Sequence, residues 1–348
     1  MLAQRGWGRT APNPMVGAVV VHDGKTVGEG FHAGYGLEHA EAMALRAAGE
    51  SARGATLYVT LEPCNHTGRT PPCSELIVKA GVSRVVFAAG DPNPVAAGGS
   101  AYLRKSGVAI DVGVEEREAL ELNAPFFNRF RSDRPWTTLK LAMSIDGAIA
   151  DHLRSPGWLS SEDSRRAVHR MRAGANAIGV GLGTVLADDP ALTVRGSGRT
   201  KPRVPPTRIV FARGGSIPEK SRLVSTASEV PTWLVAAGET PISAERLAEL
   251  GVRVIVARDL SEAMRTLFSE GIHSLLVEGG AQLAASLLDN DLVDRLTIFR
   301  APIILGSGGL NAFASARPRS LSDAQRMTVL ETRIYGSDSM TTYAVAKR

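Results

Sequence analysis

The stretch TLEPCNHTGRTPPC, residues 60–73, contains both cysteines of this 348-residue chain. Cys64 and Cys73 are nine positions apart, and their proline-containing loop follows directly after an apolar run. The start of the chain, MLAQRGWGRTAPNP, has no apolar segment of the secretory type, so we expect a cytoplasmic, reducing location. In such a compartment two cysteines in a polar loop more often bind a metal or take part in chemistry than form a disulfide.

A second stretch, HAEAMALRAAG, completes a zinc-binding pattern and begins at His39. A catalytic zinc ion takes three protein ligands and leaves its fourth position to water. We predict that His39, Cys64 and Cys73 are these ligands, and that Glu41 moves protons from the zinc-bound water to a leaving amine. An H-x-E motif followed by P-C and a second cysteine is typical of zinc nucleobase deaminases. A structural site with His66 as a fourth ligand is the alternative.

Length and composition indicate the class of protein. A chain of 348 residues predicts two domains, and 44% hydrophobic with 22% charged residues is typical of soluble globular proteins. No window approaches 18 consecutive apolar residues, so we expect no membrane span. The net charge of +5 is scattered along the chain rather than clustered. We therefore expect no nucleic-acid partner.

The first third of the chain predicts alternating strands and helices. MVGAVVVHDGKTVGEGFH predicts a hairpin that turns at Asp23-Gly24, and HAEAMALRAAG predicts a helix that stops at Gly49. GATLYVTLEP and SRVVFAAGDPNP predict strands, SELIVKAG predicts a short helix, and EEREALELNAPFFNRF predicts another helix. This alternation favours a sheet flanked by helices.

The polar segment RSDRP, residues 131–135, is predicted to be a linker, which gives domains at 1–133 and 134–348. In the second domain SEDSRRAVHRMRAG and SEAMRTLFSEG predict helices. Strands are predicted for WTTLKLAMSIDG, ANAIGVGLG, TRIVFA, TWLVAA, VRVIVA, SLLVEGG and RLTIFRAPIIL. The sequence GVGLGTVLADDPALTVR has Thr184 where a dinucleotide fingerprint requires glycine, so a turn and a nucleotide loop both stay open.

The deaminase motifs resemble one family in particular. Eight residues, NHTGRTPP, separate the cysteines, and this insertion together with PNPMVGAVVV resembles the bifunctional deaminase/reductase of riboflavin biosynthesis over nearly the entire chain. The resemblance implies an α/β protein, with an N-terminal cytidine-deaminase-like α/β/α domain followed by a C-terminal dihydrofolate-reductase-like α/β domain. It also implies small-molecule phosphoribosylaminopyrimidine substrates and a homo-oligomer, either a dimer or a tetramer.

The family's first activity replaces the 2-amino group of 2,5-diamino-6-(phosphoribosylamino)pyrimidinone by oxygen and releases ammonia. Its second activity reduces the ribosyl group of the product to ribityl with NADPH. Carried over to this chain, the resemblance implies a zinc site of His39, Cys64 and Cys73 with Glu41 as the proton shuttle. It places four further residues at the deaminase substrate: Asn13, His32, His66 and Arg69.

KLAMSIDG, GVGLGTVLADDPALTVR and VEGG are similar to the family's reductase domain. The resemblance places five residues at the reductase substrate: Lys140, Arg172, Leu192, Arg195 and Glu278. Lys140 and Glu278 are the candidates for proton transfer, and the two arginines suit a phosphate. The resemblance places the following residues at NADPH: Ala142, Trp158, Thr184, Asp188, Gly280, Ala281, Gln282, Leu283, Ala284, Ala285 and Ser286. Pro156 stands where the family often has serine.

Two other functions fit the sequence less well. A tRNA or nucleotide deaminase fused to a binding domain would predict clustered basic residues interleaved with aromatic ones. Aromatic residues make up only 5% of the chain, and no such cluster occurs. A non-catalytic, zinc-stabilised module would need neither Glu41 nor an open ligand position.

Overall fold

The structure is a computed structural model that describes residues 1–68, 71–154, 157–196, 204–238, 243–314 and 316–346. Its internal contacts divide the chain into two units, Met1–Ser132 and Asp133–Arg348. The boundary predicted from the sequence lies between residues 133 and 134. Within the described ranges, no helix has both the length and the apolar character needed to cross a membrane.

The described part of unit 1 forms a five-stranded sheet with helices packed on it. The strands are β1 Gly17–His22, β2 Lys25–Phe31, β3 Thr56–Leu61, β4 Arg84–Ala89 and β5 Ala109–Val112. The helices are α1 Ala40–Ala48, α2 Cys73–Lys79, α3 Gly99–Lys105, α4 Glu116–Leu122 and α5 Ala124–Asn128. The strand order is β2-β1-β3-β4-β5, with β1 antiparallel to β2 and β3, and with β3, β4 and β5 parallel. This arrangement confirms the predicted helix-flanked sheet.

Glycines in β2 bring helix α1 close to the sheet. A Cβ atom at Gly28 or Gly30 would lie 2.2 Å from the carbonyl oxygen of Ala44 or Ala40, respectively, so only glycine permits this approach. The predicted hairpin turn is confirmed, since Asp23 and Gly24 both have positive φ angles, 48° and 73°. The close contact between α1 and β2 fixes where the first turn of α1 lies.

Unit 2 contains a nine-stranded sheet in the part of the chain that the structure describes, with the order β11-β10-β9-β8-β12-β6-β13-β16-β15. The strands are β6 Trp136–Met143, β7 Ala148–Ala150, β8 Ala177–Gly181, β9 Thr207–Ala212, β10 Thr232–Ala237, β11 Val252–Ala257, β12 Ser274–Glu278, β13 Arg295–Arg300, β14 Leu310–Asn311, β15 Met327–Tyr335 and β16 Asp338–Val345. The helices are α6 Glu162–Ala173, α7 Leu182–Asp188, α8 Arg222–Ser225, α9 Ala244–Glu249, α10 Leu260–Ser269 and α11 Ala281–Asp289.

Strand β6 lies inside the sheet of unit 2 and is parallel to both of its neighbours, β12 and β13. Its residues alternate between partly and fully buried positions, and Lys140 and Ala142 share the partly buried face. Helix α6 packs on this face through an apolar cluster that includes Val168, Met171 and Phe299. The packing brings polar residues of α6 near the carboxyl ends of β6 and β12.

Some predicted elements differ from the observed ones. The single helix predicted in EEREALELNAPFFNRF is two short helices, because the Asn123 side chain bonds both backbone groups of Met15 and because Pro125 has no N–H to donate. The strand predicted in RLTIFRAPIIL ends at Arg300, just before Pro302. Helix α3, strand β5 and the β15–β16 hairpin were not predicted.

The end of the predicted linker belongs to unit 2. Both terminal nitrogens of Arg134 donate to the carboxylate of Asp294, at 2.7 and 2.8 Å, and these side chains are 11% and 2% exposed. The Thr137 N–H donates to the same carboxylate. Arg134 is therefore an anchored part of the fold rather than part of a free connector.

Candidate active sites

Three possible metal ligands converge in unit 1 from three separate elements. His39 is the N-cap of α1, Cys64 follows β3, and Cys73 is the first residue of α2. His39 Nδ1 lies 3.5 Å from Cys64 Sγ and 3.3 Å from Cys73 Sγ. All three ligand atoms lie within 4.8 Å of one another. The structure thus brings together the ligand set that the sequence predicts.

The donor set fits zinc in chemistry and in size. Two thiols and one imidazole are ligands that zinc prefers, with bonds of about 2.3 Å to sulfur and about 2.0–2.1 Å to nitrogen. In a tetrahedron these bond lengths place sulfur and nitrogen roughly 3.6 Å apart. The observed separations of 3.5 and 3.3 Å are close to that value. Three protein ligands would leave one position open, as in catalytic zinc sites.

The two thiols are not equivalent. Hydrogen bonds from Cys73 and His39 lower the pKa of Cys64 to about 4. The pKa of Cys73 is raised by its hydrogen bond with Cys64 and by burial. The pair thus shares one proton with the negative charge on Cys64, whose Sγ also accepts the Cys73 N–H at 3.4 Å. A divalent cation between the donors would deprotonate both thiols.

Glu41 lies in the first turn of α1, next to the ligand cluster, and its side chain lines the adjoining cavity. The residue is 4% exposed. Burial raises the pKa of Glu41 to about 7, against the opposing effect of the charge on His39. A carboxyl group with such a pKa can both accept and return a proton near neutral pH.

A cavity of about 250 Å³ opens beside the ligand cluster, and Asn13, His32 and His66 lie in its wall. His32 Nδ1 donates to the carbonyl of Glu38 at 3.0 Å, which leaves Nε2 to accept from Asn13 Nδ2 at 3.3 Å. Burial lowers the pKa of His32, so this neutral tautomer is favoured. Arg69, predicted at the substrate, lies outside the described residues.

Part of the wall of this cavity is formed by residues that were not predicted. Glu62, Asp91 and Asn93 line the same pocket as the predicted substrate residues. Burial raises the pKa of Asp91 to about 6, with the nearby charge of Glu62 adding to the effect and the Asn93 N–H opposing it. The signal was available, since GDPNP follows directly after β4 and ligands often bind beyond the carboxyl ends of parallel strands.

In unit 2 the residues predicted for proton transfer are neighbours on adjacent strands. Lys140 in β6 and Glu278 at the end of β12 are directly paired in register. Arg172 of α6 donates from Nε to Glu278 Oε1 at 2.5 Å and from Nη2 to Oε2 at 3.0 Å. The side chains of Arg172 and Glu278 are each 13% exposed. Arg172 therefore binds a buried carboxylate instead of lying on a solvated helix face.

The charges of this cluster set the protonation states of its members. Burial favours a higher pKa for Glu278, but the charge and hydrogen bonds of Arg172 and the charge of Lys140 outweigh it and lower the pKa. Burial lowers the pKa of Lys140, and the charge of Glu278 opposes this shift. The cluster therefore contains a stable carboxylate beside a lysine that releases its proton more readily than an exposed lysine does.

The segment that carries Leu192 and Arg195 is bonded to α6 at two points. Arg172 Nη1 donates to the Thr193 carbonyl at 2.9 Å, and the Arg195 N–H donates to His169 Nδ1 at 3.1 Å. Leu192 is buried and has a positive φ of 47°. His169 was not predicted as a site residue, although it precedes Arg172 by about one helical turn, which places both on one face.

Several of the residues predicted at NADPH lie at the start of α11. Gly280 is the N-cap of this helix, which has no side-chain cap, and a Cβ atom at Gly280 would lie 3.5 Å from Thr184 Oγ1. Ala281 to Ser286 form the first two turns of α11, and Thr184 and Asp188 belong to α7. An uncapped helix start preceded by two glycines fits a pyrophosphate. Trp158, by contrast, is 73% exposed, with Arg165 stacked 5.3 Å from its ring centre.

Comparison with known families assigns both units. Residues 1–89 match the zinc-binding region of cytidine and deoxycytidylate deaminases. Residues 135–340 match the RibD C-terminal domain. The protein is thus a zinc-binding deaminase joined to a reductase. This result confirms the predicted order of a cytidine-deaminase-like domain followed by a reductase domain.

Two relatives are similar over most of the chain. The riboflavin biosynthesis protein RibD of Aquifex aeolicus is 45% identical over 310 residues, which cover 88% of this chain and 86% of the relative. RibD of Escherichia coli K12 is 41% identical over 351 residues, with 97% and 95% covered. This chain belongs to the RibD family, the bifunctional deaminase/reductases of riboflavin biosynthesis.

Solved structures agree with this assignment. Acinetobacter baumannii RibD is 35% identical and superposes with a TM-score of 0.86, covering 99% of this chain and 96% of that one. A diaminohydroxyphosphoribosylaminopyrimidine deaminase/5-amino-6-(5-phosphoribosylamino)uracil reductase from Thermotoga maritima is 35% identical, with a TM-score of 0.85 and the same coverage.

Proposed function

We propose that unit 1 converts 2,5-diamino-6-(5-phosphoribosylamino)pyrimidin-4(3H)-one to 5-amino-6-(5-phosphoribosylamino)uracil and ammonia. Unit 2 then reduces the ribosyl group of that product to ribityl with NADPH. The observation that carries this proposal is the convergence of His39, Cys64 and Cys73 beside buried Glu41 in a ring-sized cavity. The proposed substrates follow from the two activities that are named for the Thermotoga maritima relative.

In the deaminase, His39, Cys64 and Cys73 would hold one zinc ion. A zinc ion bound there lowers the pKa of a coordinated water and so supplies a nucleophile at neutral pH. Glu41 accepts a proton on its carboxylate and delivers it to the departing amino nitrogen of the substrate. Its burial supports this role, because its pKa of about 7 leaves both protonation states accessible.

The remaining residues of the cavity orient the substrate. Asn13 and His32 form a fixed, neutral hydrogen-bonding pair that contacts the pyrimidine. The buried Nδ1 atom of His66 has no hydrogen-bond partner among the residues that the structure describes, which makes it available to a ligand. His66 and Arg69 then bind the phosphoribosyl group, for which a guanidinium is well suited.

In the reductase, Lys140 brings a proton to the opened ribose, the Glu278 carboxylate beside it supports this proton transfer, and NADPH would supply the hydride. Their register across β6 and β12 supports this pairing, and the lowered pKa of Lys140 makes it a competent acid. Arg172 holds the Glu278 carboxylate and the Thr193 carbonyl in place. Exposed Arg195 is the arginine that binds the substrate phosphate, and buried Leu192 lies in the same segment.

Residues of α7 and α11 would hold NADPH. The helix start at Gly280 and residues Ala281 to Ser286 would bind its pyrophosphate, and Thr184 and Asp188 belong to the neighbouring α7. Ala142 lies on the face of β6 that also carries Lys140, where the nicotinamide must reach the substrate. Exposed Trp158 is free to stack on the cofactor.

Two further properties are part of this proposal. The chain acts as a homo-oligomer, a dimer or tetramer, and Val329 and Ile334, exposed on the edge strand β15, support self-association. Light scattering after size exclusion measures this directly. The location is cytoplasmic, since both cysteines are free thiols placed as metal ligands.

One coupled assay tests the proposed function. The zinc-loaded protein receives the diaminopyrimidine phosphate, and ammonia release is measured before NADPH is added. Ammonia should appear first, and NADPH oxidation should follow in proportion to the deaminated product. Zinc-loaded protein that releases no ammonia, or that oxidises no NADPH with the deaminated product, would contradict the proposal.

A further inference from the structure

The carboxylate of Glu62 bridges two distant points of one loop in unit 1. Its Oε1 accepts the Ser100 N–H at 2.9 Å, and its Oε2 accepts the Asp91 N–H at 3.3 Å. Asp91 lies just beyond β4, and Ser100 lies in the first turn of α3. Both oxygens of a single side chain thus hold the two ends of the segment 91–100.

The segment 91–100 is ordered by further bonds and forms one wall of the deaminase cavity. Asp91 Oδ1 accepts the Asn93 N–H at 2.8 Å, and the Asn65 N–H donates to the Ala96 carbonyl at 2.9 Å. Asp91, Asn93 and Ala96 line the cavity. A Cβ atom at position 99 would lie 1.8 Å from the Pro63 carbonyl oxygen, so the segment rests directly on the strand end that precedes Cys64.

We infer that Glu62 is a positioning residue of the deaminase, which holds the segment 91–100 as a substrate-binding wall through its two backbone hydrogen bonds. This inference rests on the proposed function, because it assigns the cavity to the pyrimidine substrate. Glu41, not Glu62, transfers the proton in that mechanism. Glu62 acts through Asp91, Asn93 and Ala96 and affects how well the substrate binds.

The role requires a carboxylate rather than any polar group of similar size. The two N–H donors bond to different oxygens of the Glu62 carboxylate, and an amide has an NH₂ donor group in place of one of these oxygens. In Glu62→Gln the amide oxygen can accept one N–H, while the NH₂ group faces the second donor. The substitution therefore breaks one end of the bridge with almost no change in volume.

The test compares Glu62→Gln with the wild type as full-length, zinc-loaded proteins. Because the wall contributes ground-state binding, the KM for the diaminopyrimidine phosphate should rise at least tenfold while kcat falls less than threefold. Hydrogen exchange of the backbone amides in 91–100 should accelerate. Zinc content, and NADPH oxidation with the deaminated substrate, should match the wild type.

Glu29→Gln is the matched control, since Glu29 is an exposed glutamate on β2 of the same unit. It should change neither KM nor exchange in 91–100. If Glu62→Gln does not fold, Glu62→Asp is measured instead, because its carboxylate is one methylene too short to reach both donors and the same changes are expected.

Three outcomes would overturn the inference: a wild-type KM in the variant, unchanged exchange of the Asp91 and Ser100 amides, or a loss of zinc. The loss of zinc would show that Glu62 supports the metal ligands rather than the wall. Failure of the proposed function is distinguishable from these outcomes. In that case the wild type itself releases no ammonia, while the exchange measurement still reports on the bridge.

Discussion

Replacement of Arg172 by methionine measures how much its pair with Glu278 stabilises unit 2. The guanidinium donates two hydrogen bonds to the carboxylate, at 2.5 and 3.0 Å, and both side chains are 13% exposed. Breaking a buried pair by removing one partner costs about 3–5 kcal/mol, because a charge is left uncompensated. Lys140 still faces the carboxylate, so we expect the lower end, about 3 kcal/mol. For a unit of this size, the Tm should fall by about 6–12 °C.

The assay is calorimetry of the full-length protein, with Arg166→Met as the matched control. Arg166 lies on the same helix and pairs with Glu162, but it is 63% exposed, so its loss should cost less than about 1 kcal/mol. Reductase activity of Arg172→Met should fall at least tenfold, because Glu278 is no longer held, while ammonia release stays at the wild-type rate.

The pH dependence of this Tm difference has a defined sign. The pKa of Glu278 is lower in the folded protein than in the unfolded chain. The pair therefore makes its full contribution to the free energy of unfolding above the pKa of the unfolded chain, and this contribution is lost as the pH falls through the pKa of the folded protein. The gap in Tm between wild type and Arg172→Met should therefore narrow below about pH 4. Equal Tm losses for Arg172→Met and Arg166→Met, or a gap that does not narrow in acid, would refute this account of the pair.

Three further results are expected. Cys64→Ala should lose both the single zinc ion per chain and ammonia release, and a variant that retains stoichiometric zinc would rule out the ligand set. Glu41→Gln should retain zinc but lose ammonia release by roughly 10²–10⁴-fold, with NADPH oxidation unaffected; deamination within about threefold of wild type would exclude the shuttle role. A fragment of residues 133–348 should oxidise NADPH with the deaminated substrate and melt above a fragment of 135–348, which lacks Arg134 and leaves buried Asp294 without its guanidinium. Identical melting of the two fragments would show that this pair does not stabilise unit 2.

The metal site could be predicted from the sequence because its residues lie at the ends of local helices and strands. His39 and Cys73 each stand at the start of a helix, and Cys64 follows a strand, so motif and spacing together indicate a single site. Most strands of both units were predicted from apolar runs, because burial in a sheet imposes a local pattern. The short helix α3 and strand β5 were missed, since seven and four residues carry too little periodicity.

The Glu62 bridge in the deaminase cavity and the Arg172–Glu278 pair in the reductase site could not be predicted in this way. Glu62 meets Ser100 across 38 positions, and Arg172 meets Glu278 across 106. No local periodicity records such a contact, because it depends on how β3 pairs with β4 and how α6 packs on β6 and β13. The deciding property is also environmental: a carboxylate on a solvated surface and one enclosed beside an arginine have the same sequence signature but different pKa values. The residue types at helix and strand ends therefore specify which chemistry is present. Burial and hydrogen-bond partners set the charge and role of each group, and these arise only when distant segments of the chain pack together.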